Sequence, residues 1–546
     1  MLLRVSGFFF LLFTIVCSLF AQRVSIFHTT DIHGYAFPYR DPLTKEMIGS
    51  FASIVPILDK ARQDKKDFLM LDVGDIFQGT LEDRATKGGI ISSLMEDDSL
   101  SYDAMVLGNH DFDYGAVNTR DKLHKAGFTV LGTNLSAEGT DVLDYKKDSL
   151  IIERGGVRFG IFGLLSADTP KYLFPDLVKG ISFHDEAEYI KKMPVYLRNE
   201  GADVVILMAH IGFFRTASDG SGTIRNMKPE LLELIKNPES EKAHIDIILD
   251  GHMHDVLFQE IRRTAADRPT YYAMAGSYGQ ELGELEIDYD LSEKRIKSVD
   301  SRFHKLNTEN YPMCQDFLAR HRKDWIYSLK TNRREVAQVE FGFFLEYNLN
   351  SKFQQDIAGL SVAKSFYEYA AHKGIAVDLA LVNHKGVRSH LFSQAGKITD
   401  EAIHKICPFE NQLVYFTLSG RDLLELFSER GKELLFYGGV MEISAVDFNS
   451  AEEGVNPKSF VFMRSNGKKE ALKKDRLYTI VSPSFLSQTA EFSLRDRRGE
   501  TALLGGIDKD AMVWYLQKAA EDAKLKGKRL RAEHFIALSK ESLNLK

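Results

Sequence analysis

An α/β fold is predicted by three observations: apolar runs of strand length alternate with helical patterns, five short histidine- or aspartate-bearing blocks each follow such a run, and 546 residues exceed what one core accommodates. The runs Val24–Phe27, Phe68–Val73, Met105–Leu107, Phe159–Leu164, Val204–Met208 and Ile245–Leu249 read as strands, and Ile54, Leu58 and Ala61 as the apolar stripe of a helix between the first two. Ahead of them, residues 1–21 carry Arg4, an apolar stretch from Val5 to Phe20 and the small Ala21. That is the pattern of a secretory signal peptide cut near Ala21–Gln22, and it falls short of the roughly 20 apolar residues of a full membrane span. Cys17 follows Ile15 and Val16 rather than a small residue, which argues against lipidation. From Tyr311 to about Arg334, charged residues surround Phe317, Leu318, Trp325 and Ile326, the pattern of a surface helix with one apolar stripe. The charged stretch Lys524–Arg531 reads as a solvated helix.

Composition narrows the function classes. The formal charge is -7, and loss of Arg4 with the leader takes it to -8, so there is no basic footprint for a polymeric nucleic acid and a small molecule is the expected substrate. No other segment approaches a spanning length, no obligate protein partner is indicated, and the mature protein is expected in a periplasmic or extracellular compartment. Only Cys314 and Cys407 remain outside the leader; two cysteines cannot build a disulfide framework, and two free thiols are expected.

The five blocks are Asp31-Ile32-His33, Gly74-Asp75, Gly108-Asn109-His110-Asp111, His210 and Gly251-His252-Met253-His254. Strand-end positions are where ligands bind in open α/β sheets. Two divalent cations a few ångströms apart repel each other and need a bridging carboxylate, for which Asp75 is the natural choice. Asp31 and His33, and again His252 and His254, stand two residues apart, which in extended backbone places each pair on one face. With Asn109 and His210 the set comprises seven ligands, Asp31, His33, Asp75, Asn109, His210, His252 and His254, without a thiolate, which suits Zn, Mn, Co, Fe or Mg and argues against a structural cysteine-type zinc site. Eleven of the 16 histidines fall in no block; His124, His184, His321 and His534 read as structural or solvated. His28 either supports the metal shell or packs. His110 follows Asn109 and is the candidate proton donor to a departing alkoxide, with Asp113 orienting its ring or, alternatively, capping a helix; Asp111 reads as a turn-capping carboxylate.

In this order the blocks resemble the calcineurin-like metallophosphoesterases. Thr29-Thr30-Asp31-Ile32-His33-Gly34, Gly74-Asp75-Ile76-Phe77-Gln78-Gly79 and Gly108-Asn109-His110-Asp111-Phe112-Asp113-Tyr114-Gly115 are similar to the signatures of its two-domain 5′-nucleotidase family. The resemblance implies a leader over 1–21, a four-layer α/β/β/α catalytic domain over 22–310, a linker helix over 311–335, and a C-terminal α+β substrate domain over 336–546. It also implies two divalent metal ions that activate a water between them for in-line attack on a phosphate ester, and a His110–Asp113 dyad.

In the second half, Asn383-His384-Lys385-Gly386-Val387-Arg388, Cys407-Pro408-Phe409-Glu410-Asn411 and Tyr478-Thr479-Ile480-Val481-Ser482-Pro483-Ser484-Phe485-Leu486 resemble the family's nucleotide-binding stretches. Carried over, Asn383 and Arg388 contact the substrate and Phe409 and Phe485 sandwich a planar base; core packing is the alternative for both rings. Two departures stand out. The family's Gly-Gly-Asp-Gly loop is replaced by Thr489-Ala490-Glu491-Phe492, leaving Glu491 as the one carboxylate for a ribose. The arginine-bearing phosphate segment is replaced by Leu345-Glu346-Tyr347-Asn348-Leu349-Asn350-Ser351, and Lys385 stands at a glycine position. Hydrolysis of nucleoside 5′-monophosphates to nucleoside and phosphate is the leading expectation. A UDP-sugar, a 2′,3′-cyclic nucleotide or a non-nucleotide phosphomonoester are alternatives within the class, and a non-catalytic binding module is the alternative outside it.

Overall fold

The computed structural model describes residues 21–41, 44–217, 222–262, 268–331, 334–346, 356–393, 395–443, 457–463, 469–488, 494, 498–533 and 535. The expected leader, apart from Ala21, lies outside them, as do His534, Glu491 and the stretch 347–351. Among the described residues no helix is long and apolar enough to cross a membrane, and Cys314 and Cys407 are free. The chain divides into two compact units, one made of the residues up to Gln78 with Asp83–Trp325, the other of Gly79–Glu82 with the residues from Ile326 onward.

Each predicted apolar run of the first unit becomes a strand. Ala21–Thr29, Asp67–Asp72, Ala104–Val106 and Thr129–Leu131 pair in parallel in a seven-stranded sheet, extended by the antiparallel Glu281–Asp290 and Arg295–Lys305 on one side and by Lys146–Lys147 on the other. Val157–Leu165, Val204–His210, Ile247–Asp250 and Thr270–Ala275 form the parallel centre of a six-stranded sheet. Strands buried on both faces carry continuous apolar runs, which is why these segments show no polar alternation. Val24, Ile26, Leu71 and Val106 of one sheet share a core with Phe159, Ile161, Ile206 and Leu249 of the other. Outside that core, the helix Phe51–Gln63 buries Ile54, Leu58 and Ala61 against the first sheet, and Glu186–Asn199 and Pro229–Lys236 cover the second. The four layers α/β/β/α follow. The sheets approach closely at Gly163, where an added Cβ would come within 2.6 Å of the Leu131 Cβ.

Two element expectations are corrected. The stretch 311–335 is not one helix: it holds Gln315–Arg320 and Arg322–Thr331, broken at His321, and a strand begins at Glu335. At the break both Arg320 (3.0 and 2.8 Å) and His321 (2.7 Å) turn onto the Asp97 carboxylate, a long-range attraction that no helical pattern reveals. Lys524–Arg531 is likewise not a helix. The helix Asp508–Leu525 ends before most of it, Gly527 takes a left-handed φ of 68°, and Leu530 bridges to Val339.

The second unit is α+β. Its five-stranded sheet runs Leu434–Tyr437, Leu379–Asn383, Leu477–Pro483, Gln412–Ser419, Ala502–Ile507, and only the Leu379–Asn383 and Leu477–Pro483 pair is parallel. Ile357–His372 and Asp508–Leu525 pack over one face and Gly420–Arg430 over the other.

On the strand next to the edge of the first sheet, Glu284 accepts hydrogen bonds from His304 Nε2 (2.9 Å) and Ser25 Oγ (3.2 Å) and pairs with Lys66 (3.3 Å). Burial by itself would raise its pKa, but the His304 hydrogen bond and the Lys66 ammonium outweigh it and hold the carboxyl at about 2, against 4.5 ordinarily. A depressed carboxylate stabilises the fold above its unfolded pKa and loses that contribution as pH falls through the folded value. Glu284→Gln is therefore expected to cost about 2 kcal/mol at neutral pH. In urea titrations the gap from the parent protein should close as pH drops from 4.5 toward 2.

Candidate metal centre

The site sits where the parallel strands of both sheets end. Asp31 and His33 follow Thr29, Asp75 follows Asp72, Asn109 and His110 follow Val106, His210 closes its own strand, and His252 and His254 follow Asp250. Their side chains gather into two groups, Asp31 with His33 and His254, and Asp75 with His210 and His252, the ligand atoms of each lying within 4.8 Å of one another. His33 Nε2 stands 3.2 Å from His254 Nε2, and His254 Nε2 3.3 Å from Asp31 Oδ1. Asn109 Oδ1 lies 2.9 Å from His252 Nδ1, which attaches Asn109 to the second group. Asp75 stands between the groups: Oδ2 is 3.1 Å from His210 Nε2 and 3.8 Å from His33 Nε2, while Oδ1 accepts the His110 backbone N–H at 2.7 Å. All seven predicted ligands are thus brought together.

The route to that convergence differs from the expectation. Asp31, His33, Asp75, His252 and His254 have φ of 52°, 50°, 57°, 75° and 61°. The pairs therefore meet through left-handed turns, and not through the two-residue alternation of extended strand. Such backbone is costly for residues with a Cβ and persists where the surroundings enforce it. Buried carboxylates do the enforcing. Asp111 Oδ1 accepts the N–H of Ile76 (2.9 Å) and Phe77 (3.2 Å), and Oδ2 those of Gly108 (2.8 Å) and Asp75 (3.2 Å). Asp250 accepts the N–H of Ile211, Gly212, Phe213 and Gly251 and the Tyr272 hydroxyl, joining the turns after His210 and before His252. Asp72 accepts from Gly74 N and Thr29 Oγ1. Asp111 is thus more than a local cap, and Asp250 and Asp72, which stand one and two residues before the motif glycines Gly251 and Gly74, join it in holding these turns.

The electrostatics suit a cation. Burial pushes His33 down to about 3, so its ring is neutral; its Nδ1–H donates to the Gln78 carbonyl (2.8 Å), which turns the Nε2 lone pair toward the first group. His210 Nδ1–H likewise donates to the Val73 carbonyl (2.7 Å). Burial would lower its pKa, yet Asp75 and Asp31 hold it at about 10, a proton standing where divalent charge would sit. His210 Nε2 is fully buried and faces the Asp75 carboxylate at 3.1 Å. Nitrogen and oxygen donors without sulfur fit Zn, Mn, Co, Fe or Mg. Beside the first group, His110 Nδ1 bonds Asp113 Oδ2 at 2.8 Å and its ring lies 5.2 Å from that of His33. His28, by contrast, packs: it is wholly buried, faces Gly283 across the ladder, and burial lowers its pKa to about 3.

In the second unit, Asn383 ends one strand, Phe485 follows its parallel neighbour, and Phe409 precedes the strand that pairs with Pro483, so all three occupy one end of the sheet. The Arg388 guanidinium lies 5.3 Å from the Phe409 ring centroid. Phe409 is half-buried; Phe485 packs partly on the core beside Leu379 and Leu381. His384, within the Asn383–Arg388 stretch, is buried and bonded to Asp356 (2.7 Å), which also caps the Ile357–His372 helix, whereas Lys385 is exposed.

Residues 24–256 match the calcineurin-like phosphoesterase family model and residues 336–492 the 5'-nucleotidase C-terminal domain model. The chain belongs to the two-domain 5′-nucleotidase family of calcineurin-like metallophosphoesterases. It is accordingly a metal-dependent phosphoester hydrolase. Its relatives include a probable 5'-nucleotidase of Treponema pallidum, 25% identical over 74% of this chain and 75% of that protein. Another is the 5'-nucleotidase of Mus musculus, 24% identical over 86% and 83%. Among solved structures, the 5'-nucleotidase precursor from Thermus thermophilus shares the fold with a TM-score of 0.77 at 22% identity, over 91% of this chain and 96% of that one.

Because four backbone donors converge on Asp111, Asp111→Asn would turn an amide N–H₂ toward at least one of them. A loss of about 2 kcal/mol or more in denaturant unfolding is expected, with weaker metal binding in the same variant.

Proposed function

We propose that this protein is an exported, dinuclear-metal 5′-nucleotidase that hydrolyses nucleoside 5′-monophosphates to nucleoside and phosphate. The observation that carries the reading is the arrangement of seven ligand side chains in two groups around Asp75, with the His110–Asp113 pair beside them. Asp31, His33 and His254 would hold one cation, Asp75, Asn109, His210 and His252 the other, and the Asp75 carboxylate would be shared. Bound divalent cations would supply a water of lowered pKa and charge to hold the phosphoryl oxygens. Asp113 accepts from His110 Nδ1–H and favours the imidazolium, which leaves Nε2–H to protonate the departing 5′-oxygen. Asn383, Arg388, Phe409 and Phe485 at one sheet end would bind the nucleoside, the arginine fork meeting a polar edge and the rings the base; Glu491 would hold the ribose. Export rests on Arg4 and the apolar stretch up to Ala21. The buried His384–Asp356 pair within the substrate loop and the exposed Lys385 favour, as a second reading, the same chemistry on another phosphate ester such as a nucleotide sugar or cyclic nucleotide.

His110→Ala is expected to lower turnover by roughly 10²- to 10⁴-fold with metal content unchanged, whereas Asp75→Asn should lose metal and activity together. Elemental analysis beside steady-state kinetics checks both; metal loss in the first variant would make His110 a ligand. Phosphate release from the manganese- or zinc-loaded protein should be fastest with nucleoside 5′-monophosphates. Activity confined to simple phosphomonoesters would reassign the second unit.

A further inference from the structure

The turn that carries the chain from the Thr270–Ala275 strand of one sheet to the Glu281–Asp290 strand of the other passes beside the first ligand group. Gln280 N–H donates to Ser277 O (3.1 Å), and both central residues have positive φ, Tyr278 at 57° and Gly279 at 63°. This is the backbone of a type I′ turn, whose first central position favours asparagine, aspartate or glycine and strains a large aromatic residue. Gly279 is required on steric grounds, since a Cβ there would stand 2.9 Å from Tyr35 O. Tyr278 has no such local reason.

Its surroundings supply one. The Tyr278 ring meets the His254 ring edge-on (centroids 5.2 Å apart, 85° between planes) and lies 5.6 Å from His33, so it touches both imidazoles of the first group. Tyr35 backs it at 5.1 Å. The Tyr278 backbone is tied at both ends: its N–H donates to Asp31 O (2.8 Å) and its carbonyl accepts from Tyr39 Oη (3.0 Å). Asp31, His33 and His254, all three members of that group, therefore contact one strained residue. In the second group the His252 ring instead meets those of His210 (5.4 Å) and Tyr172 (6.5 Å).

We infer that Tyr278 is a positioning residue that fixes the His33 and His254 rings and thereby sets the metal affinity of the first site independently of the second. The inference rests on the proposed two-metal reading of the site. It also explains why a strained tyrosine is kept in a turn that glycine would occupy freely.

Tyr278→Gly and Tyr278→Phe, compared with the parent protein by cobalt(II) titration, visible spectroscopy and thermal unfolding of the metal-free form, test it. The glycine variant relieves the φ strain while losing the ring's packing, so its metal-free Tm should stay close to that of the parent, while one of two cobalt equivalents binds roughly tenfold more weakly or worse with an altered spectrum. The phenylalanine variant should bind both equivalents as the parent does. Undiminished binding of both equivalents by the glycine variant overturns the inference. So does equal weakening of both with a fallen Tm, which would mark a general structural role, and so does a phenylalanine variant as weak as the glycine one, which would move the role to the hydroxyl. Failure of the parent itself to bind two equivalents would instead strike at the two-metal reading.

Discussion

Two buried carboxylates, Asp31 and Asp75, stand among four imidazoles at the meeting point of two sheets, and much of the first unit is arranged around making that charge tolerable. Bare carboxylates in an apolar interior are expensive unless cations or hydrogen bonds answer them. Here His210 is held protonated by them, and His33, kept neutral by burial, presents a lone pair. A site so constituted is incomplete without divalent charge, which fits the family to which the chain belongs.

The candidate ligands reach this point through backbone that resists being there. Five of them occupy left-handed φ, and what keeps them is a layer of hydrogen bonds from backbone amides to carboxylates behind the site: Asp111 gathers the Asp75 and Gly108 turns, Asp250 gathers those of His210 and Gly251. The sheets give this layer its rigidity, since their shared core packs so closely that Gly163 has no room for a methyl group. Strain at the candidate metal centre is thus balanced by hydrogen bonding one residue further in, a division of labour common where catalytic geometry must be preorganised.

The second unit is built on a mixed sheet with one parallel pair, and the residues proposed to bind substrate emerge at one end of that sheet. Asn383, Phe409 and Phe485 are there because of where strands stop and start, while Arg388 is drawn over the Phe409 face. His384 shows how a single buried hydrogen bond, to the residue that caps the Ile357–His372 helix, ties the turn after Asn383 to that helix.

Sequence alone determined the class of fold, the strands and all seven metal-ligand candidates, because apolar runs buried on both faces and chemically unusual residues at their ends are local signals. It also marked the His110–Asp113 pair, whose partners are three residues apart. What it could not convey were the consequences of residues distant in the chain: the break at His321 imposed by Asp97, the conversion of Asp111 and Asp250 from bystanders into organisers of two turns each, and the contact of Tyr278 with ligands as far back in the chain as His33. Those depend on which loops the two sheets bring face to face. Only the tertiary structure decided that the ligand pairs converge through left-handed turns, since a hydrogen bond from across the site can select a backbone conformation that local preference disfavours.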